Sequence, residues 1–293
     1  LNELFGIEFE GLDVSKRLFL PEDMLINQVT YMLGVDETSF KNAETELQLE
    51  RVVRCENING ITAVYLGKYY YAEMAVAKRL IELKEKAGVN VRIIKADLSD
   101  LDSVFKLYDS VKDDDIDILV NNAGFGVCGE FLKTDLMREL NMIDLNIKAL
   151  HTLTKLFLAD FTRKNSGYIL NVASSAAFMP GPLLSSYYAS KAYVLRLDEA
   201  INTELKKMGS AVLISTLCPG PVNTEFDLVA NVKFSLKGLS ADFVAEYAVK
   251  KMFKRKEIIV PGWQMKVLRP LQKITPDRLL CRIAYHIQRR KIY

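Results

Sequence analysis

From Gly88 to Tyr293 the sequence predicts an α/β fold, a parallel sheet with helices on both faces, on three observations. Short apolar β-type runs alternate with longer stretches of helical spacing from Val89 onward, the rhythm of βαβ units. The strand candidates are apolar without a two-residue period, as in strands covered on both faces. Polar or glycine-bearing turns end three successive strand candidates, where an open parallel sheet places its site.

Taken in order, Val89–Lys95 is short and β-branched, and Leu101–Val111 is helical with Val104, Leu107 and Val111 on one face. Ile116–Val120 is a short apolar strand. A long helix is expected over Asp135–Lys164, where Leu136, Leu140, Ile143, Ile147, Leu150, Leu153 and Phe157 recur at three and four. Strand Tyr168–Ala173, helix Ser185–Lys207, strand Ala211–Leu217, helix Ala241–Lys254 and strand Glu257–Val260 complete the series.

Residues 1–87 lack that rhythm and are expected to form a separate, small helical or winged-helix-like segment ahead of a domain spanning 88–293. Leu25–Leu33 and Thr38–Glu50 have helical spacing, Arg51–Val53 and Ile61–Leu66 flank Asn57-Ile58-Asn59-Gly60, and a further helix is expected over Tyr70–Lys86. An Asn-Gly pair between β-type runs signals a hairpin.

Composition narrows the function classes. Among 293 residues, 39 Lys and Arg balance 37 Asp and Glu for a net charge of +2, which disfavours a globally basic nucleic-acid binder and an acidic disordered chain. Cys55, Cys128, Cys218 and Cys281 are far apart, so neither a disulfide framework nor a zinc ribbon is expected. With two histidines, His151 and His286, a His-rich metal site is excluded. No apolar run reaches the roughly 18–20 residues of a membrane-spanning helix, and the expectation is a cytoplasmic protein. Residues 263–293 carry eight basic residues against one acidic, Asp277, with Leu279, Leu280, Ile283 and Ile287 among the arginines. A basic amphipathic helix of this kind suits peripheral contact with an anionic membrane. A nucleic-acid role for residues 12–66 is disfavoured, because Glu44, Glu46 and Glu50 outnumber Lys41 on the second helix and repel phosphate.

The chemistry sits in Tyr187-Tyr188-Ala189-Ser190-Lys191 near the start of a helix. Tyr187 and Lys191, four apart, share a face. A phenol titrates near 10; an ammonium one turn away favours phenolate and lowers that value. The pair can then exchange a proton with a carbonyl or alcohol oxygen. Ser174, in Asn171-Val172-Ala173-Ser174-Ser175, ends one strand, Asn121-Asn122-Ala123-Gly124 ends the preceding one, and Pro219-Gly220-Pro221-Val222-Asn223-Thr224 ends the following one.

In these residues, with Asp97 in Ala96-Asp97-Leu98 and Asn146 in the long helix, the sequence resembles the short-chain dehydrogenase/reductase family over about 88–260. The resemblance implies a Rossmann-like domain, N-terminally truncated, that transfers hydride between NAD(H) or NADP(H) and an alcohol/carbonyl carbon. It implies Tyr187 as general acid/base, Ser174 orienting the substrate carbonyl, Lys191 lowering the Tyr187 pKa and holding the nicotinamide ribose, and Asn146 anchoring a relay water. It also implies that Asp97 meets the adenine, that Asn122 with Ala123 and Gly124 meets the ribose side, and that Pro219, Gly220, Val222 and Thr224 meet the nicotinamide. A hydrophobic substrate is consistent with the membrane contact expected of the basic tail, and a homo-oligomer is a further expectation.

One part of the family's pattern is missing. The T-G-x-x-x-G-x-G turn, whose glycines let backbone approach the pyrophosphate at a helix N-terminus, does not occur ahead of Val89. The nearest equivalent is Ile61–Leu66, Gly67 and the helix from Tyr70, a turn with one glycine and three tyrosines. Residues 12–83 instead resemble the region before the motor of RecD-like helicases, without a Walker A motif. Either Ile61–Leu66 fills the sheet's gap or the sheet is truncated to about five strands. Losing the family's first two strands would expose an edge at Ile116–Val120, and either case weakens dinucleotide binding. The alternative to an active oxidoreductase is therefore a non-catalytic or defective hybrid that keeps Ser174, Tyr187 and Lys191.

Overall fold

The computed structural model describes residues 94–224 and 238–292, Arg92, and the backbone of 19–21, 53–58 and 61–66; side chains at 271, 273 and 290–292 are excepted. The chain divides into two units, Leu1–Ile93 and Ile94–Tyr293.

In the first unit, β1 (Phe19–Pro21), β2 (Val53–Ile58) and β3 (Ile61–Leu66) form an antiparallel sheet in the order β1-β3-β2. β2 and β3 pair antiparallel from Val53 with Leu66 to Ile58 with Ile61, the hairpin signalled by the Asn-Gly pair in the sequence. Its first strand is Val53–Ile58 rather than Arg51–Val53. The helices expected at Leu25–Leu33, Thr38–Glu50 and Tyr70–Lys86 lie outside the described residues.

The second unit holds a four-stranded parallel sheet among its described residues. Its order is β4 (Ile118–Asn121), β5 (Tyr168–Val172), β6 (Leu213–Leu217) and β9 (Ile258–Ile259). A small parallel pair, β7 (Val222–Asn223) with β8 (Leu239–Ser240), lies beyond β6 in sequence. The helices are α1 (Leu101–Asp109), α2 (Leu136–Ile143), α3 (Leu150–Lys164), α4 (Ser185–Lys207), α5 (Ala241–Phe253), α6 (Trp263–Ile274) and α7 (Asp277–Ile292). Local chemistry sets several ends. The side chains of Asp100, Asp135 and Ser240 accept backbone N–H bonds in the first turns of α1, α2 and α5, satisfying donors that have no partner within the helix. Asn165, at φ 50°, closes α3 in the left-handed conformation that asparagine tolerates.

Neighbouring residues on β5 point to opposite faces. Ile169 joins Val104, Leu153, Phe157, Phe161, Leu205 and Ile214 beneath α1, α3 and α4. Leu170 joins Leu217, Val244, Ala248 and Met252 beneath α5. The sheet is thus covered on both faces, as the sequence pattern implies.

Four expectations change. The helix over Asp135–Lys164 is interrupted by a π-helical turn at Asp144–Ala149, which the three-and-four periodicity cannot reveal. Ile61–Leu66, considered as a filler of the sheet's gap, pairs with β1 and β2 within the first unit. Of the strand expected at Val89–Lys95, Arg92, Ile94 and Lys95 are described and are not in a strand. Among the described residues β4 is consequently an edge, and Ile118 and Val120, expected inside a doubly covered strand, are 38% and 50% exposed.

α6 packs Met265 against Phe178 and Cys218. On α7 the buried stripe is Leu280, Ala284 and Gln288, while Leu279, Ile283 and Ile287 face outward beside exposed arginines 278, 282 and 289. Among the described residues no helix is long and apolar enough to cross a membrane.

Candidate active site

Three strand ends and one helix build the site. β5 delivers Ser174, which caps the short 3₁₀ turn Ser175–Phe178 by accepting from Ala176 N at 3.1 Å. The Ser175 N–H donates to the Pro219 carbonyl at 2.7 Å, which ties this loop to the turn that follows β6. α4 begins at Ser185 and presents Tyr187 and Lys191 one turn apart on its buried face.

Tyr187 is buried and hydrogen-bonded to the Ser174 hydroxyl. Burial pushes the phenol up to about 12; the Ser174 bond opposes that and Tyr188 adds to it. This reverses the direction expected from the Tyr-x-x-x-Lys spacing, and the positions explain why. Lys191 Nζ lies 5.9 Å from the Tyr187 ring centroid and donates to the Val172 carbonyl at 2.9 Å. Burial also pulls Lys191 down to about 8. Desolvation is the largest influence on both groups and disfavours the charged form of each.

Asn146 is wholly buried in the π-helical turn, a geometry often found at functional sites. Its Nδ2 donates to the Phe125 carbonyl (2.9 Å) and to Ser190 Oγ (3.1 Å), and its Oδ1 accepts from Phe125 N (3.1 Å). Asn146 therefore staples the turn after β4 to α4, a role its position in a helix did not show. A Cβ on Gly124 would stand 2.8 Å from Asn146 Oδ1 and 3.3 Å from Lys191 Nζ, so glycine permits the approach.

The remaining residues are more open. Asn122, Ala123 and Gly124 are exposed on the turn after β4. Pro219, Gly220 and Val222 are partly exposed and Thr224 is exposed; the Pro221 carbonyl accepts from Leu239 N, which holds β7 to β8. Asp97 is exposed and accepts from both the N–H and the hydroxyl of Ser99, at 2.9 and 2.7 Å. The cap of α1 is Asp100. Sequence reasoning missed Gln288, which sits on α7 yet donates to the Tyr188 hydroxyl at 2.7 Å. Nothing in a basic tail signals that contact.

A family model described as short chain dehydrogenase matches residues 23–232. The chain belongs to the short-chain dehydrogenase family. The match reaches back to Asp23, ahead of the hairpin β2–β3. Estradiol 17-beta-dehydrogenase 11 of Mus musculus is 29% identical over 206 residues, covering 69% of this chain and 68% of that protein. Very-long-chain 3-oxoacyl-CoA reductase of Anas platyrhynchos is 29% identical over 158 residues, covering 52% and 50%. A short-chain dehydrogenase from Sphingobium yanoikuyae, solved in complex with NADPH, superposes with a TM-score of 0.60 at 26% identity, over 66% of this chain and 78% of that one.

The nicotinamide end of a dinucleotide fits the residues present. Lys191 has three donors and spends one on Val172, and Gly124 leaves the space beside it open. The residues that would meet the pyrophosphate, between Gly67 and Val91, lie outside the described residues.

Proposed function

We propose that this chain oxidises or reduces an alcohol/carbonyl pair on a bulky apolar substrate with NADP(H) or NAD(H). The observation that carries this is the Ser174–Tyr187 hydrogen bond beside buried Lys191. Ser174 holds the substrate oxygen in line with the phenol, Tyr187 gives or takes its proton, and Lys191 holds ribose hydroxyls with its spare donors. Asn146 fixes the turn at Gly124 against α4 and anchors a relay water. When bound, the dinucleotide supplies or accepts the hydride. Asp97, Asn122, Ala123, Pro219, Gly220, Val222 and Thr224 line the cofactor's remaining length. The printed names of the two relatives, a steroid dehydrogenase and a long-chain acyl reductase, support an apolar substrate.

A second reading keeps the same residues without turnover. The missing glycine-rich turn favours it, and a phenol pushed up to about 12 is a poor base toward an alcohol. Titration with NADPH and NADH, followed by nicotinamide fluorescence, separates the two. Saturable binding is expected for the enzyme; no binding up to millimolar concentration overturns it.

The outward row Leu279, Ile283 and Ile287 among arginines supports peripheral contact with an anionic membrane by a cytoplasmic protein. Sedimentation with vesicles containing anionic lipid, compared with neutral ones, tests it. A homo-oligomer is read by light scattering.

A further inference from the structure

Asp198 is wholly buried on α4, seven residues beyond Lys191 and eleven beyond Tyr187, and so on the same helical face. A carboxyl group in that setting needs partners, and it has two. Asn171 Nδ2 on β5 donates to Oδ1 at 2.8 Å, and Thr216 Oγ1 on β6 donates to Oδ2 at 2.7 Å. Asn171 Oδ1 in turn accepts from Asn121 Nδ2 on β4 at 2.8 Å, and Thr154 Oγ1 on α3 lies within 3.1 Å of Asn121 Nδ2 and 3.3 Å of Asn171 Nδ2. One continuous network therefore crosses three adjacent strands and ends on the helix of the Tyr187–Lys191 pair.

Its members stand just ahead of the site's turns. Asn121 immediately precedes Asn122-Ala123-Gly124, Asn171 lies three residues before Ser174, and Thr216 lies three before Pro219. Backbone bonds between parallel strands do not themselves fix where the helix above them lies, and Asn202, bonded to the Ile214 backbone, ties α4 to β6 alone. A buried side-chain network fixes one register.

We infer that Asp198 is a positioning residue, whose carboxyl group locks the carboxyl ends of β4, β5 and β6 to α4 and so sets Ser174, Gly124 and Pro219 against Tyr187 and Lys191. It touches no substrate or cofactor atom in this role. The inference rests on the oxidoreductase reading only for its consequence in turnover; its structural consequence is independent of that reading. Burial pushes Asp198 up to about 7 against its two hydrogen bonds, and the charged groups whose fields couple to it are Glu199 on its own helix and the Cys218 thiol beyond β6. Either protonation state serves, since the Thr216 hydroxyl can donate or accept.

The test compares Asp198→Ala with Asp198→Asn in the full chain by hydrogen exchange, without cofactor. The reporters are three bonded amides at the strand ends: Ala173 N to Leu217 O, Ser175 N to Pro219 O, and Cys218 N to Ile259 O. Asp198→Ala is expected to speed exchange at these amides at least tenfold and to leave α5 unchanged. Asp198→Asn, which can bond Asn171 and Thr216 again, is expected to stay within threefold of the unaltered chain. Unchanged amides, an equal rise across α5, or an asparagine variant as impaired as alanine each overturns the inference. If Asp198→Ala does not fold, Thr216→Val carries the same comparison. Where the unaltered chain turns over an alcohol, Asp198→Ala lowers kcat at least tenfold and Asp198→Asn restores it. Where it turns over none, the oxidoreductase reading fails and the exchange result still decides the role of Asp198.

Discussion

The two ends of the site within the second unit are built differently. At the β5–β6–α4 end, Tyr187, Lys191, Asn146, Asn171, Asp198 and Thr216 are all buried, and each is held by hydrogen bonds from a neighbouring element. At the β4 end, Asp97 and Asn122–Gly124 are exposed, Asp97 bonds Ser99 within its own turn, and β4 is a sheet edge among the described residues, with Ile118 and Val120 exposed. In the function proposed above, proton transfer falls at the first end and the far half of the dinucleotide at the second, so packing would set the first and a more open surface the second.

That contrast can be broken at either end, and the largest effect is expected at the buried one. Lys191→Met keeps the stem's packing and removes the donors; turnover is expected to fall about 10²-fold or more, with weaker NADPH binding by fluorescence. The buried end also predicts a pH dependence. Asp198 titrates near 3.9 when unfolded and about 7 when folded, so the folded chain holds the extra proton between those values. This contribution to stability is full below about pH 4 and declines by about 1.4 kcal/mol per unit as pH rises towards 7. Asp198→Asn should flatten that slope in urea unfolding; an unaltered slope contradicts the assignment. Gly124→Ala, at the junction of the two ends, forces a contact of 2.8 Å on Asn146 Oδ1 and is expected to cost about 1–3 kcal/mol of stability, read in the same unfolding curves. The smallest effect belongs to the exposed edge. Val120→Lys should change stability by no more than about 0.5 kcal/mol and lower any self-association, since a lysine on an edge disfavours strand pairing. A loss of several kcal/mol would mean that Val120 is covered in solution.

The same contrast explains what could be read from sequence. α4 runs over Ser185–Lys207 as its spacing indicates, because a buried amphipathic face and the paired turn residues around it are local signals. Ser174, Tyr187 and Lys191 meet because parallel strands put their ends on one side. The π-helical turn at Asn146 was not legible, since one extra residue per turn hardly alters a three-and-four pattern. Asp198 was not legible either. A carboxylate in a helix reads as a solvated group until the three strand residues that surround it are placed. The edge at β4 was legible as a consequence of the missing glycine-rich turn, whereas the fate of Ile61–Leu66 was decided by antiparallel pairing with β2, which a strand's composition does not specify. The direction of the Tyr187 pKa was misjudged because spacing reports a neighbour's charge and not the burial of both partners.

The most direct measurement follows deuterium from the nicotinamide C4 of labelled NADPH into an apolar ketone, with the unaltered chain and with Tyr187→Phe. Deuterium is expected on the product carbinol carbon, with a rate about 10²-fold or more lower in Tyr187→Phe at unchanged NADPH affinity. Absence of label in the product, or equal rates for the two proteins, would contradict it.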